Sequence, residues 1–178
     1  YSDVFHTIGV HPHEALTLSN SDLDQIRSSA KHPRCVGIGE LGLDYYYDHA
    51  PRDLQKECLK VQLELARELK KPVVIHSRDA EDDLLKLLAD YAKKIPSGGP
   101  VGVIHCFTGT LEFGRACLDL GFYISFSGIL TFKNAEPLRE AARAFPLERL
   151  LVETDSPYLA PIPFRGRPCE PAFVVQTA

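Results

Sequence analysis

The pattern of apolar and polar positions along the chain repeats one unit: a short apolar run, a polar loop, then apolar residues three or four positions apart. The apolar runs at residues 4–10, 35–39, 73–75, 101–104, 122–126 and 150–152 read as six strands, the second ended by glycines. Residues 22–30 predict a short helix before Pro33. Residues 52–70 predict the clearest helix, with Leu54, Cys58, Val61, Leu65 and Leu69 forming one apolar stripe that Pro72 stops. Asp79 is placed to cap the next helix, in which Leu84, Leu85, Leu88 and Tyr91 face inward. Residues 111–120 and 136–145 predict two more helices, and residues 96–100 a turn. The proline-rich stretch 157–171 predicts an extended loop, after which residues 170–178 close no element.

Strands alternating with helices predict parallel pairing through right-handed crossovers. Six such strands fit either an open doubly wound sheet or most of an eight-stranded barrel. No Gly-x-Gly-x-x-Gly follows a strand, which removes the simplest dinucleotide-binding form of the open sheet.

Length and composition narrow this further. A chain of 178 residues, 44% hydrophobic and 25% charged, has the size and make-up of one globular domain. No run is apolar enough to cross a bilayer, and no signal peptide opens the chain. A net charge of −4 argues against coating duplex nucleic acid through a broad basic face, although bound metals supply positive charge locally. The five cysteines form no CxxC pair, and Cys35, Cys58 and Cys117 fall in apolar patterns, so a reducing cytoplasmic compartment is expected. The absence of methionine, together with residues 1–10 running straight into a strand, predicts a single domain cut at both ends.

The chemistry stands at the strand ends. The second predicted strand ends at Glu40, the third at His76 and the fourth at His105; Asp155 follows the sixth, and the first runs into His11. In a parallel barrel these ends face one mouth, where active sites of such barrels lie. Two imidazoles and two carboxylates there make a competent divalent-metal site. Each residue alone has a plainer reading: a hydrogen-bonded histidine, a helix-capping Glu40, a turn begun by Asp155-Ser156-Pro157. Four ligand types at four strand ends are poorly explained that way.

Gly39-Glu40-Leu41-Gly42-Leu43-Asp44-Tyr45 resembles a signature of the TatD family of metal-dependent deoxyribonucleases. So, in order, do Ile75-His76-Ser77-Arg78-Asp79-Ala80, His105-Cys106-Phe107-Thr108-Gly109 and Glu153-Thr154-Asp155-Ser156-Pro157. Gly9-Val10-His11-Pro12-His13 and Pro163-Phe164-Arg165-Gly166 match as well. The resemblance implies a TIM-type (β/α)8 barrel, present here as an incomplete barrel, with a two-metal centre. It implies that Glu40 bridges both ions, that His76 and His105 hold the second, and that Asp155 holds the first. The family's His-x-His pair, on a first strand without counterpart here, would complete the first site. His11-Pro12-His13 is not that pair, because the family has this motif in addition; His11 is assigned to the substrate side and His13 to structure. At Cys169 the family commonly has asparagine, which puts in doubt any polar contact from that position.

The expected activity is divalent-metal-dependent hydrolysis of phosphodiester bonds in DNA by an activated water, with Glu40 and Asp155 as the catalytic carboxylates. The resemblance implies exonucleolytic action on a single strand or a 3′ end. The ions are magnesium, manganese or zinc, since mixed imidazole and carboxylate ligands accept all three. Arg78 and Arg165 are the expected phosphate contacts, ahead of Arg167 and Lys133, each weighed against a surface ion pair. Tyr45, Tyr46 and Tyr47 either stack bases or pack under a loop. The rivals are a metal hydrolase of a non-nucleic-acid ester, lactone, amide or phosphotriester, and a non-catalytic scaffold domain. A cysteine hydrolase using His105 and Cys106 is disfavoured, because neighbouring strand side chains point to opposite faces. No membrane or obligate protein partner is expected.

Overall fold

The longest strand, β2 (Cys35–Asp44), anchors the N-terminal part of the computed structural model, which describes residues 3–178. It runs parallel to β1 (His6–Ile8) on one side and β3 (Val73–Arg78) on the other. These strands, with α1 (Asn20–Ser29), α2 (Arg52–Leu69) and α3 (Glu81–Ala92), lie in a compact unit spanning Tyr1–Val103. The second unit, Ile104–Ala178, contains α4 (Leu111–Asp119), β5 (Tyr123–Phe126), α5 (Glu136–Ala144), β6 (Leu150–Val152) and α6 (Val174–Thr177). The chain passes from one unit to the other within β4 (Gly102–Ile104). β5 and β6 are parallel, and within each unit the strands lie in sequence order. This is the alternation expected of a barrel segment, with six described strands where a complete barrel has eight. The N-terminal expectation at Tyr1 and Ser2 lies outside the described residues.

Several local expectations need correction. β2 does not end at Glu40 but continues to Asp44. Between Ile38 and Leu41 its pairing with β3 shifts by one residue, a bulge that spans Gly39 and Glu40. Bulges re-aim side chains, which is how a charged residue sits inside a strand whose neighbours are buried. Past the bulge, a Cβ on Gly42 would lie 1.9 Å from the His76 carbonyl oxygen, so only glycine lets β2 approach β3 beside that histidine. Asp79 does not cap α3: its N-cap is Ala80, with no side-chain hydrogen bond, and Asp79 itself adopts φ 53°. α1 starts earlier than expected because Ser19 and Asp22 form a reciprocal capping box. Residues 170–178 do form structure, a 3-10 turn at Pro171–Phe173 followed by α6.

The predicted stripe on α2 is half right. Cys58 and Leu65 are buried, but Leu54 and Val61 are exposed. The buried face also carries Leu59, Leu63 and Ala66, and two glutamines, Gln55 and Gln62, that are fully buried. In α3, Leu84, Leu88 and Tyr91 are buried as expected, and Leu85 is only half-buried. The second unit packs around Phe107, whose ring meets Phe113, Phe126 and Phe145 at 5.8–6.1 Å. All five cysteines are free thiols, and only Cys106 is not buried. Among the described residues no helix is long and apolar enough to cross a membrane.

Candidate metal centre

In the first unit the bulge, β3 and the turn after β1 bring three ligand-type side chains together. His11, Glu40 and His76 each offer an atom within 4.8 Å of the others. Nδ1 of His76 lies 3.0 Å from Oε1 of Glu40, and Nε2 of His11 lies 3.8 Å from the same oxygen. Two imidazoles and a carboxylate fit a divalent cation. Burial, then the neighbouring His76, outweigh the Glu40 carboxylate and push His11 down to about 4, so its ring is neutral at physiological pH, the form that binds a metal.

Behind them stands Asp44, a buried carboxylate with no role expected from sequence. Its Oδ2 is 2.9 Å from Nε2 of His76 and 3.0 Å from Nε2 of His13. Its Oδ1 accepts the amides of Tyr46 and Tyr47 at 3.1 and 2.8 Å. Burial acts to raise the Asp44 carboxyl, but these hydrogen bonds outweigh it and hold the group below the ordinary aspartate range. An ionised Asp44 only accepts, so the imidazole Nε2 atoms facing it donate. Nδ1 of His76 is then the ring atom that faces Glu40. The signal for Asp44 lay in its place before two turn residues, where aspartate accepts the amides that follow.

Two backbone segments of this site hang on α2. Gln62 accepts the Val10 amide at 2.7 Å and donates to the Val10 carbonyl at 3.0 Å, one residue before His11. Gln55 accepts the Asp44 amide at 2.8 Å and donates to the Asp44 and Ala50 carbonyls at 3.0 and 2.8 Å.

The second unit holds the other two expected ligands. His105 does not lie in β4 but follows it directly, and its Nε2 is 3.8 Å from Oδ1 of Asp155. Its Nδ1 approaches Oε1 of Glu153 to 2.7 Å, although among the described residues that buried oxygen accepts no hydrogen bond. Glu153 belongs to the motif around Asp155 but carried no expected role. Because His105 and Cys106 lie beyond the strand, the alternation argument against a cysteine hydrolase does not apply to them. The thiol of Cys106 instead lies 3.1 Å from the Ser127 hydroxyl.

The expected substrate residues fare differently. His11 joins the metal-fitting cluster. The Arg78 guanidinium lies over the Tyr46 ring at 4.3 Å and, among the described residues, forms no ion pair. Arg165 lies over Phe132 at 3.9 Å and donates to the Ala160 carbonyl at 3.3 Å. Tyr45 packs and donates to Asp83 at 2.9 Å, while Tyr46 and Tyr47 are exposed. Cys169 is buried, its amide bonded to the Pro157 carbonyl at 2.9 Å.

The family model for TatD-related DNases matches residues 1–178. An uncharacterized metal-dependent hydrolase of Escherichia coli, YcfH, is 49% identical over 177 residues, covering 99% of this chain and 64% of that protein. A Klebsiella pneumoniae protein named 3′-5′ ssDNA/RNA exonuclease TatD is 41% identical over 179 residues, covering 98% of this chain and 66% of its own. Among solved structures, the YJJV TatD homologue of Escherichia coli superposes with a TM-score of 0.89 at 31% identity, over 98% of this chain and 66% of that one. The chain thus spans roughly two thirds of the length of these relatives, and its α/β architecture is of the TIM-barrel type.

Proposed function

This chain belongs to the family of TatD-related DNases, and from that premise we propose that the protein hydrolyses phosphodiester bonds of single-stranded DNA, shortening it from the 3′ end. The observation that carries the proposal is the gathering of His11, Glu40 and His76 into a cluster that fits a divalent cation, in a chain whose relatives are named metal-dependent hydrolases. The choice of nucleic acid draws on the name of the Klebsiella relative.

In this reading residues 1–178 are part of one hydrolase domain. Glu40, His76, His105 and Asp155 are the ligands of two divalent ions, magnesium, manganese or zinc. Bound there, such ions polarise the phosphoryl oxygen and acidify water. Asp155 takes the proton of the attacking water, and Glu153 lies beside the His105 ring. Glu40 would hold both ions, and Asp44 accepts from Nε2 of His76 and leaves Nδ1 facing Glu40. His11 and Arg78 border the substrate, and Arg165 reaches its phosphate by leaving the Phe132 face. Free thiols at all five cysteines suit a reducing, cytoplasmic compartment.

The test uses the full-length protein on a 5′-labelled single-stranded oligonucleotide with each metal, with chelator, and with Glu40→Ala. A ladder shortening from the 3′ end, lost with chelator and reduced at least about a thousandfold in the variant, is expected. Full turnover by a folded Glu40→Ala would overturn the assignment of that carboxylate. No cleavage with any metal would overturn the nuclease reading, and ester, lactone and amide panels would then identify the substrate.

A further inference from the structure

Tyr46 and Tyr47 follow β2 closely, and the proposed hydrolysis leaves them unused. Paired tyrosines ordinarily bury their rings, yet Tyr46 is 58% and Tyr47 52% exposed. Their backbone is fixed by the two amide hydrogen bonds to Asp44. The rings meet edge to face at 5.0 Å, and Tyr47 stacks on His49 at 5.7 Å with 7° between the planes. Arg78 lies 4.3 Å from the centre of the Tyr46 ring and 5.3 Å from that of Tyr47. Among the described residues no carboxylate neutralises this guanidinium.

The ridge is continuous with the metal-fitting cluster. Tyr47 lies 5.5 Å from the His13 ring, and His13 lies 6.3 Å from His76. One buried carboxylate serves both ends, with Oδ1 of Asp44 on the tyrosine amides and Oδ2 on His13 and His76. Whatever rests on the tyrosines is therefore held in register with the imidazoles.

We infer that Tyr46, Tyr47 and Arg78 form a stacking platform for the bases of single-stranded nucleic acid, with Arg78 taking the adjoining phosphate. The inference rests on the proposed function, whose substrate it specifies. Exposed aromatic faces accept any unpaired base, whereas a duplex offers free faces only at its ends. An unneutralised cation beside those faces draws the anionic backbone and adds cation–π attraction. The platform itself contributes two ring faces and one cation, Arg78. Single strands should therefore bind better than duplex, with a shallow dependence on salt.

The platform is tested by fluorescence anisotropy of the full-length protein in chelator, where binding is read without cleavage. The ligands are a labelled single strand about eight nucleotides long and the same strand with abasic units throughout. The proteins are the parent, the double variant Tyr46→Ala/Tyr47→Ala, and Tyr46→Phe/Tyr47→Phe, each with a circular dichroism spectrum. The alanine pair should bind the intact strand about tenfold more weakly, while the phenylalanine pair stays within about twofold of the parent. The alanine pair should bind the abasic strand as the parent does. Equal weakening on both strands, no weakening, or a parent that binds no intact strand would overturn the platform. Metal-dependent cleavage is scored separately. Stacking-dependent binding without cleavage refutes the nuclease reading alone, and cleavage with ring-independent binding refutes the platform alone.

Discussion

At the scale of single residues, three acids, the buried Cys58 and Tyr91 and the half-buried Tyr45, hold their protons more tightly in the fold than outside it. Burial pushes the Cys58 thiol from 9.0 up to about 11, and the hydrogen bond donated by Gln62 opposes this without cancelling it. Burial also pushes Tyr91 up to about 12. Burial and then the hydrogen bond to Asp83 do the same for Tyr45. A group whose folded value lies above its unfolded one stabilises the fold fully below the unfolded value, and that stabilisation is lost as pH rises through the folded value. The denaturation midpoint should therefore begin to fall near pH 9 through Cys58 and near pH 10 through the two tyrosines, and continue falling to pH 12. The thiol's share is about 2 kcal/mol, and Cys58→Ala should flatten the part between pH 9 and 11. Chemical denaturation from about pH 7 to 11 measures this. A midpoint unchanged to pH 11 in the parent would contradict the burial argument.

At the scale of elements, α2 connects the core to the site. Gln62 pairs with both backbone groups of Val10, and Gln55 with both backbone groups of Asp44. Removing the Gln62 amide leaves a buried donor and acceptor unpaired, which costs about 2–4 kcal/mol. Gln62→Leu should lower the denaturation midpoint accordingly. It should also weaken metal binding by the full-length protein, because Val10 carries the turn that presents His11. A normal midpoint in Gln62→Leu would show that water replaces the amide. These glutamines also mark where the sequence became illegible. Periodicity ranks positions by residue type, so it chose Leu54 and Val61, which are exposed, over Gln55 and Gln62, which are buried because the backbone beside them needs partners. The strands and helices themselves were legible, since each pairs an apolar run with a breaker or a cap. Glu40 was read as a strand end because glycines were taken to end the strand; the bulge, set by pairing with β3, accommodates the charge there. The positions of His76, His105 and Asp155 in or shortly after strands were legible because the strands are apolar runs. Asp44 was not, because it acts on a histidine distant in sequence.

At the scale of the whole molecule, the proposed ligand residues are spread along the chain, so they can hold an ion together only when it is folded. Binding to the native state alone raises stability by RT ln(1 + [L]/Kd), about 2.7 kcal/mol when the metal is at about one hundred times its Kd. Thermal unfolding of the full-length protein should therefore shift upward by several degrees as manganese or zinc is titrated in, and chelator should reverse the shift. The size of the shift in variants separates the ligands from their supports. Glu40→Ala, which removes a carboxylate shared by both proposed ions, should abolish it. Asp44→Asn keeps the side chain's shape but replaces an acceptor oxygen with a donor, so His76 loses its fixed tautomer. That variant should shift the metal titration by about ten- to a hundredfold in concentration while still saturating. Isothermal titration of the parent should count two ions per chain. A metal-induced shift that survives Glu40→Ala in full would mean that the stabilising ion sits elsewhere, and the cluster of His11, Glu40 and His76 would then be a hydrogen-bonded structural group.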